Sequence, residues 1–279
     1  MSLSTPSISV VIPTHNRSEV LRRALRSIEA QSLPATEIIV VDDGSQDDTA
    51  AAVALHHPEV RLLGQRQSGV SSARNNGIRQ ARGDWLALLD SDDEWLPDKL
   101  AVQMHVLAEA PAVRLCHTEE IWIRNGRRVN QKKRHAKRGG RIFRHSLPLC
   151  AISPSSVVIH RSLFDEVGLF DESLPACEDY DLWLRICARE SVAYVETPQI
   201  IKYGGHEDQL SRRHWGMDRF RVRALQKILD EGILDAADYA AASAMLRQKT
   251  EILAQGAARR GRSTEAARYR AIAARYARK

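Results

Sequence analysis

The stretch Trp85-Leu86-Ala87-Leu88-Leu89-Asp90-Ser91-Asp92-Asp93 carries five apolar residues straight into a cluster of three carboxylates. A buried strand that ends this way sets like charges side by side, which is costly unless a cation or a proton offsets the repulsion. The pattern therefore marks the C-terminal end of a strand as a place suited to a divalent cation.

Two further segments repeat the motif of a short apolar run closed by polar residues. Ile8-Ser9-Val10-Val11-Ile12 runs into Pro13-Thr14-His15-Asn16, and Ile38-Ile39-Val40-Val41 runs into Asp42-Asp43-Gly44-Ser45. Between them Val20, Leu21, Ala24, Leu25 and Ile28 recur at helical spacing, Thr49 to Leu55 and Ser71 to Ala81 read as two more helices, and Val60 to Leu63 as a strand. Alternating strands and helices, with strands apolar on both faces, imply a mostly parallel sheet covered on either side. Ligands of such sheets bind beyond the carboxyl ends of the strands, so the three polar clusters should converge on one crevice.

With 279 residues and 43% hydrophobic content the chain can bury a sizeable core. We read residues 1–215 as the main domain, in halves of about 1–112 and 113–215, followed by a helical extension over 216–279. No apolar run approaches the roughly 20 residues of a membrane helix, and the first residues lack a charged segment followed by an apolar one, so a soluble, cytoplasmic protein is expected. Cys116, Cys150, Cys177 and Cys187 show no zinc spacing and read as reduced core or near-core residues. The net charge of +6 belongs to the tail: residues 216–279 hold 14 Lys+Arg against 7 Asp+Glu, and the rest 27 against 28. No nucleic-acid partner is expected.

Beyond residue 112 the spacing suggests strands at Val113–Cys116, Ile121–Ile123 and Ser156–Ile159, and a helix from Asp181 to Arg189. Arg124 to Arg144 holds ten Lys+Arg and no acid, which reads as a mobile basic loop. Helices Ala236–Gln255 and Thr264–Tyr276, separated by Gly256 and Gly261, form a hairpin with room for one more helix before it.

Each candidate residue has two readings. Asp42 and Asp43 either contact a base or ribose or cap and turn the chain into the next helix. Asp90, Asp92 and Asp93 either cap or hold Mg²⁺ or Mn²⁺, and three acids exceed what a cap needs. In Glu178-Asp179-Tyr180-Asp181 the acids suit a helix N-terminus, or one of them is a general base. His206, after Gly204-Gly205, is a surface residue or a nitrogen ligand to the same cation. Arg74 is a solvated helix residue or a planar cation reaching the carboxylates or a diphosphate.

In order and spacing these pieces resemble family 2 of the inverting glycosyltransferases, which have the GT-A fold and include enzymes of bacterial surface polysaccharides. The matching motifs are Ser9 to Arg17, Val41 to Ser45, Gly69 to Gly77, Gly83 to Asp93, Glu178 to Trp183 and His206 to Ser211. The resemblance implies transfer of a sugar from a nucleoside diphosphate sugar, UDP by family frequency, to a hydroxyl of a glycan or lipid-linked acceptor. It implies donor contacts from Pro13, Thr14, Asn16, Arg17, Asp42, Asp43, Gly69 and Arg74, with Asp90 facing the ribose. Asp92 and His206 would bind Mn²⁺ or Mg²⁺, and Asp179 would be the base that deprotonates the acceptor. Glu178, Asp181 and Trp183 fall on the acceptor side.

Two other classes compete. A sugar-phosphate nucleotidyltransferase needs a Gly-rich phosphate loop after the first strand, which Pro13-Thr14-His15-Asn16 is not, and a dehydrogenase fails for the same reason. A non-catalytic nucleotide-sugar-binding protein sits poorly with Asp92, Asp179 and His206 together. The basic loop suits a donor lid, an anionic acceptor or plain solvation. The tail suits packing, a homodimer, or a surface lying on anionic lipid.

Overall fold

The computed structural model describes residues 6–205 and 214–276. Strand β1 (Ile8–Thr14) is buried along its whole length, as expected of a strand covered on both faces. Helix α1 (Ser18–Glu29), strand β2 (Glu37–Asp42), helix α2 (Thr49–His56), strand β3 (Arg61–Gly64), helix α3 (Val70–Gln80) and strand β4 (Trp85–Leu88) follow in the anticipated alternation. They are succeeded by β5 (Glu94–Trp95), α4 (Lys99–Glu109), β6 (Leu115–Arg124), β7 (Arg127–Val129), α5 (Phe143–Ser146), β8 (Val158–His160), α6 (Ser162–Val167), α7 (Glu178–Cys187) and β9 (Ala193–Gly204). The tail forms α8 (Asp218–Asp230), α9 (Ala236–Arg259) and α10 (Ser263–Arg275).

The sheet runs β3-β2-β1-β4-β8-β6-β9-β5, with β7 hydrogen-bonded to β6. It is parallel from β3 to β4 and mixed beyond, where β8 runs antiparallel to both β4 and β6, and β6 pairs parallel with β9. Thr14 lies opposite Asp42, and Asp42 opposite Gly64, so the carboxyl ends of these strands are level.

Alternation along β1 sends its side chains to two cores. Val11 joins Ile39 and Leu86 beneath α3 and α7, while Val10 and Ile12 join Val40 beneath α1 and α4. A Cβ at Gly77 would collide with the Val11 side chain, so a glycine there lets α3 lie close on β1.

The second half departs from expectation in three places. The strands expected at Val113–Cys116 and Ile121–Ile123 are one strand, β6, whose register with β9 shifts at Glu119. That bulge absorbs the polar residues that look like a strand end in the sequence. The basic segment 124–144 is not a featureless loop: it contains β7, a 3₁₀ turn at Lys133–His135, and a bridge from Gly140 to Val192. Helix α9 also runs through Gly256, because Ala254 and Ala257 pack against Ala266 of α10, and this contact outweighs a glycine's cost of about 1 kcal/mol.

The helix before the hairpin is present as α8, and its Leu225 and Ile228 share a buried cluster with Trp183 of α7. All four cysteines are free, and only Cys150 is not fully buried. Among the described residues no helix is long and apolar enough to cross a membrane.

Candidate active site

The three polar clusters meet at the carboxyl edge of β1, β2 and β4. Asn16 adopts a left-handed backbone conformation, φ 51°, which turns the chain out of β1. Its N–H donates to Ser45 Oγ (2.8 Å), and its Oδ1 accepts from the N–H of Gln46 (2.7 Å). The N–H of Asp43 donates to the Thr14 carbonyl at 2.9 Å, and Arg17 Nη1 meets Asp92 Oδ2 at 2.7 Å. Thr14, next to Pro13, is buried, and its Oγ1 has no hydrogen-bond partner among the described residues. Such an orphan at a strand end is a group waiting for a ligand or a water.

Asp42 and Asp43 both serve the turn. Asp42 Oδ1 accepts from the N–H of Ser45 at 3.0 Å. Asp43 Oδ1 accepts from Gln65 Nε2 and the Ser68 N–H, and Oδ2 from the Gly69 N–H, each at 2.8 Å. Gly69 has φ 94°, so the carboxylate folds segment 65–69 back over the strand ends at a position that favours glycine. Asp43 thus shapes the crevice wall through the loop it holds.

One cation links the two halves of the domain. Arg74 of α3, 3% exposed, places Nη2 2.6 Å from Asp90 Oδ1 and Nη1 2.7 Å from Glu178 Oε1. Burial opposes its charge, yet the two carboxylates raise its pKa further. Burial likewise works against ionised Asp90, but Arg74 holds its carboxyl below the usual range. Glu178 goes the other way: burial and the adjacent Asp179 raise it against the pull of Arg74.

Cys177, φ 62°, precedes this acidic helix start in a left-handed conformation that costs a non-glycine residue about 1–2 kcal/mol. It aims the first turn of α7 into the crevice. Asp179 there lines a cavity of about 120 Å³ with Glu120, Trp122, Lys137, Cys150 and Lys202. Its Oδ1 accepts from the N–H of Tyr180 (2.7 Å), and its Oδ2 accepts from the Cys150 thiol (3.1 Å). Burial and the Asp179 charge push the Cys150 thiol pKa well up, so it stays an S–H donor.

For a dication the described residues supply one ligand of the right chemistry. Asp92 lies at the crevice mouth with its side chain 19% exposed, and Arg23 Nη2 donates to its backbone carbonyl at 2.7 Å. No group of three His, Cys, Asp or Glu side chains converges among the described residues, and His206 lies outside them. A hard cation carried by a diphosphate needs only one or two protein carboxylates, so the residues fit. Asp93 is a turn residue: its N–H donates to the Asp90 carbonyl (3.0 Å), and its Oδ2 accepts from Ser155 Oγ (2.6 Å). Burial, with Asp92 and Asp90 nearby, raises its pKa against the pull of Lys202.

Two acceptor-side expectations are corrected. Asp181 is buried and paired with Arg185 (2.9 Å) and Lys227 (2.8 Å), which ties α7 to α8. Trp183 is 1% exposed and packs edge-on to Phe170, so its ring is core. Sequence reading missed Lys202, whose Nζ donates to Ser153 Oγ at 3.3 Å. Burial opposes its charge, but Glu120, Asp93, Asp90 and Asp179 raise its pKa. A lysine inside the apolar strand run Ile200-Ile201-Lys202-Tyr203 was the available signal. Glu120 and Lys137, paired at 3.3 Å with side chains 2% and 3% exposed, were missed as well.

The model of glycosyl transferase family 2 matches residues 9–168, more than half the chain. An uncharacterized glycosyltransferase of Rickettsia typhi is 31% identical over 210 residues, 74% of this chain and 66% of that one. The succinoglycan biosynthesis protein ExoO of Rhizobium meliloti is 44% identical over 97 residues, 34% of this chain and 28% of that one. Across the first curated relatives the match spans from about a third to two thirds of their length. The crystal structure of Staphylococcus aureus TarS 1–349 in complex with UDP-GlcNAc superposes with a TM-score of 0.70 at 21% identity, over 88% of this chain and 72% of that one. That likeness shows the fold, the GT-A arrangement of mixed sheet and flanking helices. With the ends of β1, β2 and β4 meeting at one carboxyl edge of that sheet and the family model covering residues 9–168, the chain belongs to glycosyl transferase family 2.

Proposed function

We propose that this protein is an inverting, metal-dependent glycosyltransferase that moves a sugar from a nucleoside diphosphate sugar to a hydroxyl of a glycan or lipid-linked acceptor. The observation that carries the proposal is the chain of contacts from Asp90, through Arg74 and Glu178, to Asp179 at its cavity. It joins the strand end suited to a donor with a carboxylate suited to an acceptor. The UDP-GlcNAc complex of the structural relative supports a UDP-sugar as donor.

In this reading Pro13, Thr14, Asn16, Arg17 and the segment folded by Asp43 hold the nucleotide, and Asp90 meets the ribose. Asp92 and His206 would hold Mn²⁺ or Mg²⁺, which when bound offsets charge on the departing diphosphate. Asp179 takes the proton of the acceptor hydroxyl as its oxygen bonds to the anomeric carbon. The bond from that carbon to the diphosphate breaks on the opposite face, inverting configuration. Cys150 orients Asp179, and Lys202 adds positive charge beside it.

The test is nucleoside diphosphate release from a panel of UDP-, dTDP- and GDP-sugars with Mn²⁺ or Mg²⁺, with and without acceptors. Asp179→Asn should lower transfer by roughly 10²–10⁴-fold while donor affinity holds; full turnover in that variant removes the base assignment. Formation of inorganic diphosphate from a nucleoside triphosphate would instead mark a nucleotidyltransferase, and binding without release a non-catalytic protein.

A further inference from the structure

A second, larger cavity opens beside the one that holds Asp179. It has a volume of about 350 Å³ and lies over the β6–β7 hairpin, lined by Glu119, Glu120, Trp122, Arg128, Lys132 and Lys133 among others. Glu120 and Trp122 line both cavities, so the two adjoin, and Asp179 lines the smaller one. Trp122 is held for this position: its Nε1–H donates to Glu120 Oε1 at 2.7 Å, and the His135 ring meets it edge-on at 5.1 Å. This partly exposed indole, which also has the Arg124 guanidinium 5.3 Å from its ring centre, offers an aromatic surface on which a sugar ring can stack.

Cations outnumber acids along the larger cavity. Glu119 is taken by Gln131 Nε2 (2.8 Å) and the Tyr194 hydroxyl (2.8 Å), and Glu120 by Lys137, Ser153 and Trp122. Arg128, Lys132 and Lys133 are exposed and, among the described residues, lie within ion-pair distance of no carboxylate. Three cations outside any ion pair among the described residues, beside an aromatic surface, suit an anion on a carbohydrate. The fork of an arginine with two lysines suits a phosphate ester in particular.

We infer that this cavity is a second acceptor subsite, which takes a phosphate ester carried by the glycan some distance from the hydroxyl being glycosylated. The inference rests on the transferase reading for its direction, since Asp179 marks where the reactive hydroxyl sits. Phosphate on a soluble glycan and phosphate in a lipid headgroup share this chemistry, and the glycan is favoured because Trp122, which can carry a sugar ring, lines both this cavity and the one that holds Asp179.

The experiment is calorimetric titration of the full chain, with UDP in excess, by maltotriose and by maltotriose 1-phosphate. Vesicles of phosphatidylcholine with and without phosphatidylglycerol form a second arm. The phosphorylated sugar should bind at least about tenfold tighter than the neutral one, the worth of one charge-assisted contact. Arg128→Glu with Lys132→Glu and Lys133→Glu should erase that preference. The same charge change on the tail, Arg259→Glu with Arg268→Glu and Arg270→Glu, should keep it. If the first triple fails to fold, glutamine at the three positions replaces it.

Equal affinity for the two sugars overturns the inference, as does equal loss in both triples. Binding of phosphatidylglycerol vesicles through Arg128, Lys132 and Lys133, without preference for the phosphorylated sugar, overturns it in favour of a membrane surface. A separate titration with UDP alone tests the donor reading, so its failure is seen independently.

Discussion

The two sides of Asp179 handle charge in opposite ways. On the side of the strand ends three carboxylates have cations in contact: Asp90 of the β4 end and Glu178 of α7 share Arg74, and Asp92 meets Arg17. On the other side, within residues 124–144, Arg127, Arg128, Lys132, Lys133, Arg138 and Arg141 face solvent and, among the described residues, lie within ion-pair distance of no carboxylate. Ion pairs already formed fix side chains before a ligand arrives, which is the preorganisation that an electrostatic site needs. Charges left open give little rigidity but raise the local concentration of an oppositely charged partner, and they are screened by salt. The comparison thus separates a side built to hold geometry from one built to attract.

The strongest way to break it is Arg74→Met. This leaves two carboxylates, one of them 4% exposed, without their shared cation. Removing one partner from a buried ion pair costs about 3–5 kcal/mol, so a large drop in denaturation midpoint is expected, together with loss of nucleotide-sugar turnover. An unchanged midpoint would mean that Asp90 and Glu178 tolerate each other, and that the bridge between the halves carries no weight.

How much of this was legible depends on the range of the interaction. The crevice could be read from Asp90, Asp92 and Asp93 because a five-residue apolar run must lie inside a sheet, and its acids must then lie at the sheet's edge. Arg74 could be read as a cation able to reach carboxylates, but not which two, since Glu178 is distant in sequence and comes close only through packing of α7 beside α3. The Glu120–Lys137 pair was hidden for the same reason, as each charge looks solvated until distant segments bury it, whereas Lys202 showed only as a lysine within an apolar strand run, with none of its partners. Asp181 and Trp183 were misread because helix rotation matters more than adjacency: α7 turns Asp179 to the cavity and these two to α8 and the core.

Glu120 tests whether the attracting side has a rigid base of its own. Burial opposes its ionisation, yet Lys137, Lys202 and hydrogen bonds from Ser153 and Trp122 hold its pKa at about 2. An unfolded glutamate titrates near 4.3, so the folded-state value is depressed. The stability it contributes, about 3 kcal/mol, is present above pH ~4.3 and lost as pH falls through about 2. Glu120→Gln should remove that stability at neutral pH and flatten the acid limb of the unfolding curve. An acid limb of unchanged steepness would assign the loss to packing and leave the hairpin's foundation uncharged.

Lys99 supplies the smallest effect and the sharpest control, because it is a buried cation with no carboxylate partner among the described residues. It is fully buried at the start of α4, with its ammonium 4.0 Å from the Trp95 ring centre and 3.4 Å from the Val157 carbonyl. Burial pulls its pKa down to about 7, whereas an unfolded lysine holds its proton until about 10.4. Between these values the unfolded chain binds more protons than the folded one, so stability should rise with pH across that window. Lys99→Met removes the desolvation cost and loses the contact with Trp95, for a net gain of about 1 kcal/mol at pH 7. Its melting temperature should therefore exceed that of the parent at pH 7, and the gap should narrow by pH 9. A variant less stable at pH 7 would show that an aromatic face and one carbonyl can hold a buried cation, and carboxylate pairing would no longer be what distinguishes the rigid side of the crevice.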